Sequence, residues 1–271
     1  MEILSKTKIY IFYYKNAPVL KLGTEYQPIM AGNILLKKKT TIQGDDTGDN
    51  ISFKNPNYSE LTGLYWVWKN TKQDTIGSCH YRRYFTAKPE PFLYKLKRLL
   101  YYPLGLYKKR IGLIYTQNTS FFLPRIINYQ EINELLLQYD AILPKARKLK
   151  YTIETHYRRY HDINDLHLLE SIITEKYPDY LKAYHTVLNR NWLYANNMFI
   201  MKNENYQEFM EWWFDILAKF EEQVNLNNYK NYQQRILGFL AERLLNVWFE
   251  YKKLNCIELP IIYFKQFKNI K

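Results

Sequence analysis

The sequence has little cysteine and lacks any long apolar run. Cys79 and Cys256 are its two cysteines, and their wide separation argues against both a disulfide framework and a zinc site. No run of about eighteen apolar residues occurs, so we expect no helix that crosses a membrane. The N-terminus, from Met1 to Lys8, is polar and charged and has no apolar core of the kind found in secretory signals. We therefore expect a cytoplasmic protein that is at most peripheral to the inner face of the cell membrane.

The motifs of several large enzyme classes are absent as well. The sequence contains no nucleophile elbow, no glycine-rich phosphate-binding loop, no HExxH zinc motif and no Rossmann glycine fingerprint. These absences argue against many hydrolases, kinases and dehydrogenases.

Positive charge and aromatic side chains are abundant. The 271 residues include 39 basic and 26 acidic ones, which gives a net charge of +13. Such an excess indicates an anionic partner: nucleic acid, acidic lipid headgroups or a substrate that carries phosphate. Aromatic residues make up 17% of the chain, with 27 tyrosines, and tyrosine suits sugar binding because its ring packs on C–H bonds while its hydroxyl forms hydrogen bonds. An AT-rich coding sequence would also raise the tyrosine content.

The order of the predicted elements is that of an α/β domain with a largely parallel sheet. Asn57 is predicted to cap the first helix, with Glu60 three residues later in the position of a capping box. We predict strands over 9–13, 75–85, 141–143 and 196–201, and helices from residue 57, over 165–188, over 206–222 and over 232–251.

A basic cluster, His80-Tyr81-Arg82-Arg83, lies at the end of the second predicted strand. In open α/β sheets, ligands bind beyond the carboxyl ends of the strands. Guanidinium groups match phosphate oxygens and keep their charge, so His80, Arg82 and Arg83 are predicted to bind a diphosphate. A solvated basic hairpin is the alternative interpretation.

Carboxylates are concentrated in a loop that contains Asp45, Asp46 and Asp49. Close carboxylates can bind a divalent metal or orient sugar hydroxyls. A solvated turn is the alternative for at least two of the three.

Two groups of polar residues are predicted to lie on helices. Arg243 falls within the apolar stripe of the last predicted helix, so it must be paired or face a ligand, and Glu242 and Arg235 lie near each other to one side of it. Tyr157, His161 and Asp165 are four residues apart and would line one helix face. A purely structural role is the alternative for both groups.

Long segments of the sequence resemble a known protein family. They are YQPI at 26–29, DDTGDNIS at 45–52, YSELTGLYWVWKN at 58–70, GSCHYRRYF at 77–85, YD at 139–140, NMF at 197–199 and GFLAERLL at 238–245. In this order they are similar to the bacterial capsular and exopolysaccharide glycosyltransferases that were long labelled a domain of unknown function and include galactofuranosyltransferases. Among the matching residues we assign Tyr26, Asp46 and Arg243 to donor binding. We assign Asn197, together with His161 and Tyr157, to acceptor binding.

The resemblance implies a glycosyltransferase-A type α/β fold, with a Rossmann-like nucleotide-binding half and a mostly helical acceptor half. The donor half would span about 1–87, a basic aromatic insertion 88–130, and the acceptor half with the closing helices 131–271. The implied reaction moves galactofuranose or galactose from a UDP-sugar to a lipid-linked capsular, exopolysaccharide or O-antigen glycan.

We expect the arginines to replace a metal in this chain. Enzymes of this fold commonly place an Asp-X-Asp metal site where this sequence has His80 to Arg83, so fixed cations would neutralise the leaving diphosphate without a cofactor. The alternative is Mn²⁺ or Mg²⁺ held by Asp45, Asp46 or Asp140. We expect an inverting displacement with Glu242 as the base, and Asp49 and Asp165 as further candidates.

The segment 92–115 is predicted to contact an anionic membrane, because apolar and aromatic residues alternate there with six basic ones. A helical hairpin that packs on the body is the alternative. Two other classes of function fit the charge: a non-catalytic nucleotide- or membrane-binding scaffold of polysaccharide assembly, and a nucleic-acid-binding protein. We expect no nucleic-acid partner, because no recognition module is present.

Overall fold

The computed structural model describes residues 6–38, 40–101 and 112–268. The described strands are β1 (Thr7–Tyr13), β2 (Tyr26–Met30), β3 (Gln43–Gly44), β4 (Thr75–His80), β5 (Arg83–Phe85), β6 (Leu113–Asn118), β7 (Ala141–Pro144), β8 (Arg147–Lys148), β9 (Trp192–Leu193), β10 (Phe199–Lys202), β11 (Cys256–Leu259) and β12 (Ile261–Lys268). The described α-helices are α1 (Asn55–Tyr58), α2 (Leu61–Asn70), α3 (Phe92–Tyr101), α4 (Thr119–Phe122), α5 (Tyr129–Leu136), α6 (Ile153–Tyr160), α7 (Asn164–Lys176), α8 (Leu181–Asn189), α9 (Asn203–Gln223) and α10 (Ile236–Lys252).

A largely parallel sheet forms the centre of the molecule. Its strand order is β11-β7-β10-β4-β1-β2-β3, and β10 runs antiparallel to both of its neighbours. In β1, Ile11 lies opposite Cys79 of β4 and Pro28 of β2. The parallel strands therefore all end at one edge of the sheet, which we call the carboxyl edge, and β10 begins there.

The side chains of β1 alternate between two hydrophobic layers, as the period of two in a strand requires. Tyr10 and Phe12 join a core that includes the buried faces of α2 and α7 to α10. Ile9, Ile11 and Tyr13 join a second core on the other face, with β5, β12 and α5. The first strand and the helices that were predicted over 165–188 and 206–222 are thus confirmed as elements of an α/β sandwich.

The strand predicted over 75–85 is interrupted. It ends at His80, turns through Tyr81 and Arg82, and returns as the antiparallel β5, so that His80 lies opposite Arg83. Burial explains the reversal, because Tyr84 and Phe85 are fully buried and Tyr84 pairs with Ile262 of β12. The prediction of one continuous strand was wrong.

The predicted capping box at Asn57 is also absent. Asn57 lies inside α1 and donates from Nδ2 to the carbonyl oxygen of Gln234, at 3.0 Å. The chain then turns at Ser59, whose φ of 54° is rare for a residue with a side chain, and α2 begins at Leu61. Glu60 accepts a hydrogen bond from Asn197 instead of capping the helix. The hydrogen bond from the distant Asn197 thus takes the place of the local capping bond that was predicted for Glu60.

The last two strands were not predicted. After α10 the chain returns to the sheet as β11, which pairs with β7, and continues as β12. β12 pairs with β5 on one side and β6 on the other, so the segment that contains α3, β6 and α4 is joined to the end of the chain. Lys108, Lys109 and Arg110, part of the predicted membrane segment, lie outside the described residues.

Candidate active site

Polar side chains from distant parts of the sequence meet at the carboxyl edge. β4 ends there in His80, and the antiparallel β10 is preceded there by Asn196 and Asn197. The two loops are joined by a hydrogen bond from Ser78 Oγ to the carbonyl oxygen of Asn197, at 2.9 Å. Both asparagines have positive φ, a conformation that asparagine tolerates better than most residues. The β4–β5 turn and the loop before β10 are therefore held side by side.

The predicted cations are brought together by the β4–β5 turn. The Arg82 and Arg83 guanidinium groups lie 5.4 Å and 5.1 Å from the centre of the Tyr263 ring of β12. Arg82 Nη1 donates to the carbonyl oxygen of Lys265 at 3.5 Å, and its Nε is buried without a partner. A buried donor that lacks a partner commonly marks a site for a ligand or water. Both guanidinium groups therefore lie against one tyrosine ring at the edge of the sheet.

The surroundings of His80 keep its imidazole neutral. Burial lowers the pKa of His80 well below its usual value, and the positive charges of Arg83, Arg82 and Arg235 lower it further. Its Nδ1 accepts the backbone N–H of Arg82, at 3.4 Å. Permanent positive charge at this turn is therefore supplied by the arginines, whose guanidinium groups stay protonated in proteins.

Two glutamates face these cations. The pKa of Arg83 is lowered by burial, while Tyr263 and the carboxylates of Glu60 and Glu242 act in the opposite direction. Glu60 accepts from Asn197 Nδ2 at 2.9 Å and lies 3.7 Å from Arg235 Nη2. Neither the role of Glu60 nor that of Arg235 at this edge was recognised in the sequence.

Glu242 is held by one backbone and one side-chain donor. Its Oε1 accepts the backbone N–H of Asn196 at 2.9 Å, and its Oε2 lies 3.4 Å from Arg243 Nη1. The side chain of Glu242 remains 25% exposed, so it can still be reached by a substrate. Glu242 thus lies between the cations of the β4–β5 turn and the loop before β10.

Arg243 lies behind Glu242. Its side chain is buried, donates to the carbonyl oxygen of Phe239 at 2.9 Å and lies 5.1 Å from the centre of the Tyr157 ring. Its Nε has no partner. The structure therefore places the predicted donor-binding residue Arg243 where it orients and charge-balances Glu242.

The predicted group Tyr157, His161 and Asp165 is brought together inside the helical layer, but not on one helix face as predicted, because α6 ends at Tyr160 and Asp165 lies in α7. The buried carboxylate of Asp165 accepts hydrogen bonds from Tyr157 Oη at 3.0 Å and Tyr229 Oη at 2.6 Å. Burial raises the pKa of Asp165, although both hydrogen bonds oppose the shift. His161 Nδ1 lies 2.8 Å from Gln233 Oε1 and its ring packs on Phe239. Both carboxylate oxygens of Asp165 are therefore occupied by hydrogen bonds from tyrosine hydroxyls.

The aspartate loop is divided between two places. Asp45 is fully buried past the end of β2, where it accepts from the backbone N–H groups of Gly32 (2.9 Å) and Asn33 (3.0 Å) and from Ser52 Oγ. Asp46 accepts from Asn33 Nδ2, at 2.9 Å. Asp45 thus stabilises the loops at the carboxyl edge beside β1 and β2.

The carboxylates proposed as metal ligands do not form a metal site in the described part of the chain. The oxygens of Asp45 are occupied by three donors. Asp140 lies at the start of β7, at the other edge of the sheet, and accepts the backbone N–H of Asn255 at 2.9 Å. Among the described residues, no group of three histidine, cysteine or acidic side chains is arranged to hold a metal ion.

Two further predicted residues lie away from the carboxyl edge. Tyr26 opens β2 opposite Ile9, at the other edge of the sheet, and donates to the carbonyl oxygen of Ile127 at 2.6 Å. Asp49 is exposed, accepts from Tyr65 Oη and donates its backbone N–H to Oδ1 of Asn70, the last residue of α2. Neither is brought together with His80 and Glu242.

The comparisons with known proteins agree with this fold. The family model described as "Domain of unknown function (DUF4422)" matches residues 8–253. The apo structure of the WbbM bifunctional glycosyltransferase is similar, with a TM-score of 0.83 and 29% identity. That match covers 96% of this chain and 45% of the other, so the chain spans less than half the length of WbbM. No curated protein sequence matches significantly.

Proposed function

Since the chain belongs to the DUF4422 family and has the fold of a solved glycosyltransferase, we propose that it is a glycosyltransferase that uses a nucleotide-sugar donor. One observation carries the proposal: fixed arginines and an accessible glutamate converge at the carboxyl edge of an α/β sheet. This is the edge at which such sheets bind nucleotides.

The donor diphosphate is assigned to the β4–β5 turn. Arg82 and Arg83 can each present two N–H groups to phosphate oxygens, and the neutral His80 can donate one more bond. Because Tyr263 holds both guanidinium groups in place, little reorganisation is needed when charge develops on the departing diphosphate. In this proposal the arginines supply the charge that a divalent metal would otherwise provide.

Glu242 is assigned as the base of an inverting displacement. The carboxylate takes the proton of the acceptor hydroxyl, whose oxygen attacks the anomeric carbon while the bond from that carbon to the diphosphate oxygen breaks. The electron pair of the broken bond leaves with the nucleoside diphosphate, next to Arg82 and Arg83. Arg243 and the backbone N–H of Asn196 position the Glu242 carboxylate.

The finer assignments follow from the family resemblance. We propose a UDP-sugar donor carrying galactofuranose or galactose, and a lipid-linked capsular, exopolysaccharide or O-antigen glycan as acceptor. A lipid-linked acceptor requires the enzyme to work at a membrane surface, although none of the described helices has the length and apolar character needed to cross one.

Helix α3 is suited to contact an anionic membrane. Phe92, Leu93, Leu96, Leu99 and Leu100 lie on one face of the helix and are 39–74% exposed. On the opposite face, Tyr94 packs on Phe122. Lys95 and Lys97 flank the apolar face on its two sides, and the helix carries no acidic residue. We assign this face to anionic lipid, because basic residues at the rim of an apolar face complement acidic headgroups.

The decisive experiment is thermal-shift binding of nucleotides and nucleotide sugars, with EDTA or Mn²⁺. We expect stabilisation by UDP that persists in EDTA and is lost in the Arg82→Ala/Arg83→Ala variant. Stabilisation that requires Mn²⁺ would contradict the metal-independent site. If no nucleotide binds under either condition, the transferase proposal fails and the scaffold becomes the better account.

A further inference from the structure

A cleft opens beside the candidate active site, where β7 ends and the chain passes from β11 into β12. Its described lining includes Arg83, Tyr115, Lys145, Arg147, Asn196 and Tyr263, and we call it the basic cleft. The function proposed above uses Arg83, Tyr263 and the backbone of Asn196 from this set, so Tyr115, Lys145 and Arg147 need their own explanation.

The charge in the basic cleft is of one sign. Arg83, Lys145 and Arg147 are the charged side chains among its described lining residues, and Lys265 Nζ lies 5.2 Å from the centre of the neighbouring Tyr115 ring. The positive potential extends behind the cleft. The pKa of His156 is lowered to about 4, first by burial and then by the charges of Arg243 and Arg147. Clustered cations in a concave surface favour an anionic ligand.

The wall of the basic cleft is rigidly built. The backbone N–H of Lys145 donates to the carbonyl oxygen of Leu259 at 2.9 Å, which joins the end of β7 to the end of β11. On the other side Gly112, with a φ of +81°, lets the start of β6 approach Lys145 closely, since an added Cβ would lie 2.4 Å from the Lys145 Cβ. The lysine backbone is therefore fixed from both sides.

The basic cleft extends from the candidate base to β6. Asn196 lines the cleft and donates its backbone N–H to Glu242. Tyr115 of β6 lines it too, whereas α3 packs on the opposite face of that strand, through a hydrogen bond of 3.2 Å between Tyr94 Oη and Thr116 Oγ1. The cleft lies on one side of Glu242, over β7 and β12, whereas the Asp45 loop lies on the other side, beyond β1 and β2. The family resemblance assigns residues 131–271, which include β7 and β12, to the acceptor. A ligand in the cleft is thus on the acceptor side of the site.

We propose that the basic cleft binds the diphosphate that joins the acceptor glycan to its lipid. This inference rests on the proposed transferase function. Arg83 borders both phosphate sites, while Lys145 and Arg147 belong to the acceptor alone. The same phosphate chemistry could come from the donor, so the experiment must separate the two sources.

The test is calorimetric titration with two phosphate ligands: UDP for the donor site, and geranyl diphosphate, a short soluble prenyl diphosphate, for the cleft. We expect the Lys145→Gln/Arg147→Gln variant to bind geranyl diphosphate about tenfold or more weakly and UDP as the unmodified protein does, because charge-assisted hydrogen bonds to phosphate are among the strong ones. Arg82→Gln should show the reverse pattern. Lys148→Gln/Lys150→Gln removes the same charge from exposed positions of the same segment and should change neither affinity.

The possible failures are distinguishable. If the Lys145→Gln/Arg147→Gln variant loses UDP affinity to the same extent as geranyl diphosphate affinity, the cleft belongs to the donor and the inference is overturned. If that variant binds geranyl diphosphate as tightly as the unmodified protein does, the inference is overturned as well. Preferential binding of a glucuronate oligosaccharide would overturn it too, in favour of an acidic sugar. If the double variant does not fold, Lys145→Gln alone serves as the test, because Lys145 is exposed. Absence of UDP binding, with cleft-dependent geranyl diphosphate binding retained, would refute the donor proposal and support the cleft.

Discussion

At the scale of single residues, Glu242 is both held and accessible, a combination that it shares at the carboxyl edge with Glu60, whose side chain is 20% exposed. The two oxygens of Glu242 contact Asn196 and Arg243, yet a quarter of the side chain is exposed. Asp165 has the opposite character, because it is buried and accepts from two tyrosine hydroxyls. A base must meet the substrate, so the two residues should respond differently to loss of charge.

We expect Glu242→Gln to lower kcat by about 10²–10⁴-fold, since general base catalysis contributes that much, while UDP binding stays unchanged. Glutamine retains an oxygen that can accept the N–H of Asn196. Steady-state kinetics measures kcat, and titration with UDP measures the donor affinity of the same variant. Turnover within twofold of the unmodified enzyme would remove Glu242 as the base.

Asp165→Asn is the matched variant for this prediction. It keeps the size of the side chain but weakens the charge-assisted hydrogen bonds from Tyr157 and Tyr229. We expect a change in thermal stability with kcat nearly retained, which is the opposite pattern to that of Glu242→Gln.

At the scale of elements, the junction between α1 and α2 carries backbone strain beside the site. Ser59 has φ 54° and ψ −133°, a region that mainly glycine occupies. Its hydroxyl accepts from Arg235 Nε at 2.8 Å, and Arg235 in turn lies beside Glu60. The side chain of Ser59 is thus retained at a conformational cost where it contacts a charged residue of the site.

We expect Ser59→Gly to stabilise the protein by about 1 kcal/mol, because glycine removes the strain at positive φ. The same variant should lower kcat, since Arg235 loses a partner. Lys253→Gly is the control, because Lys253 has φ 51° at the end of α10, away from the carboxyl edge. It should become more stable without a loss of activity. Reduced stability of Ser59→Gly would show that the serine contacts outweigh the strain.

The exposed face of α3 permits a prediction of its own. A charge placed at Leu99, which is 60% exposed, faces the solvent in the free protein but would have to enter the lipid boundary in the bound one. We therefore expect Leu99→Glu to abolish co-sedimentation with anionic liposomes and to leave UDP binding unchanged. Leu137→Glu, at a residue that is 86% exposed after α5, is the matched control. Equal binding by both variants would contradict the docking of α3.

At the scale of the whole molecule, half-buried imidazoles make stability depend on pH. Burial lowers the pKa of His80, His156 and His161, and nearby arginines add to the effect. The folded state therefore holds these groups neutral at pH values where the unfolded chain would protonate them. Stability is fully present above the ordinary histidine value and is lost as the pH falls through the folded values. Asp165, whose pKa is raised, acts in the opposite direction.

For His156 the window is defined by its ordinary pKa of 6.5 and its folded value of about 4. We expect the melting temperature to fall as the pH is lowered across this range, because the unfolded state binds more protons there. His156→Gln should flatten the curve. His185→Gln, at an exposed histidine of α8, should not. If His156→Gln leaves the dependence of the melting temperature on pH unchanged, another group is responsible for the acid sensitivity.

Local pattern in the sequence determined much of this molecule. The apolar run at 9–13 predicted the central strand, and the period of buried residues predicted α9 and most of α10, including the buried position of Arg243. These features follow from the alternation or helical spacing of neighbours, which a single sequence displays. The family resemblance and the α/β fold class were likewise confirmed.

Only the tertiary structure decided which of these side chains meet. The pairing of Glu60 with Asn197, of Asn196 with Glu242 and of the arginine turn with Tyr263 joins residues far apart in the chain. Tyr26, Asp49 and Asp140 were also candidates in the sequence, yet strand direction places Tyr26 and Asp140 at the other edge, and Asp49 is held beside the end of α2. Periodicity reports which face of an element is buried, but strand pairing and direction depend on long-range packing, and these determine the site.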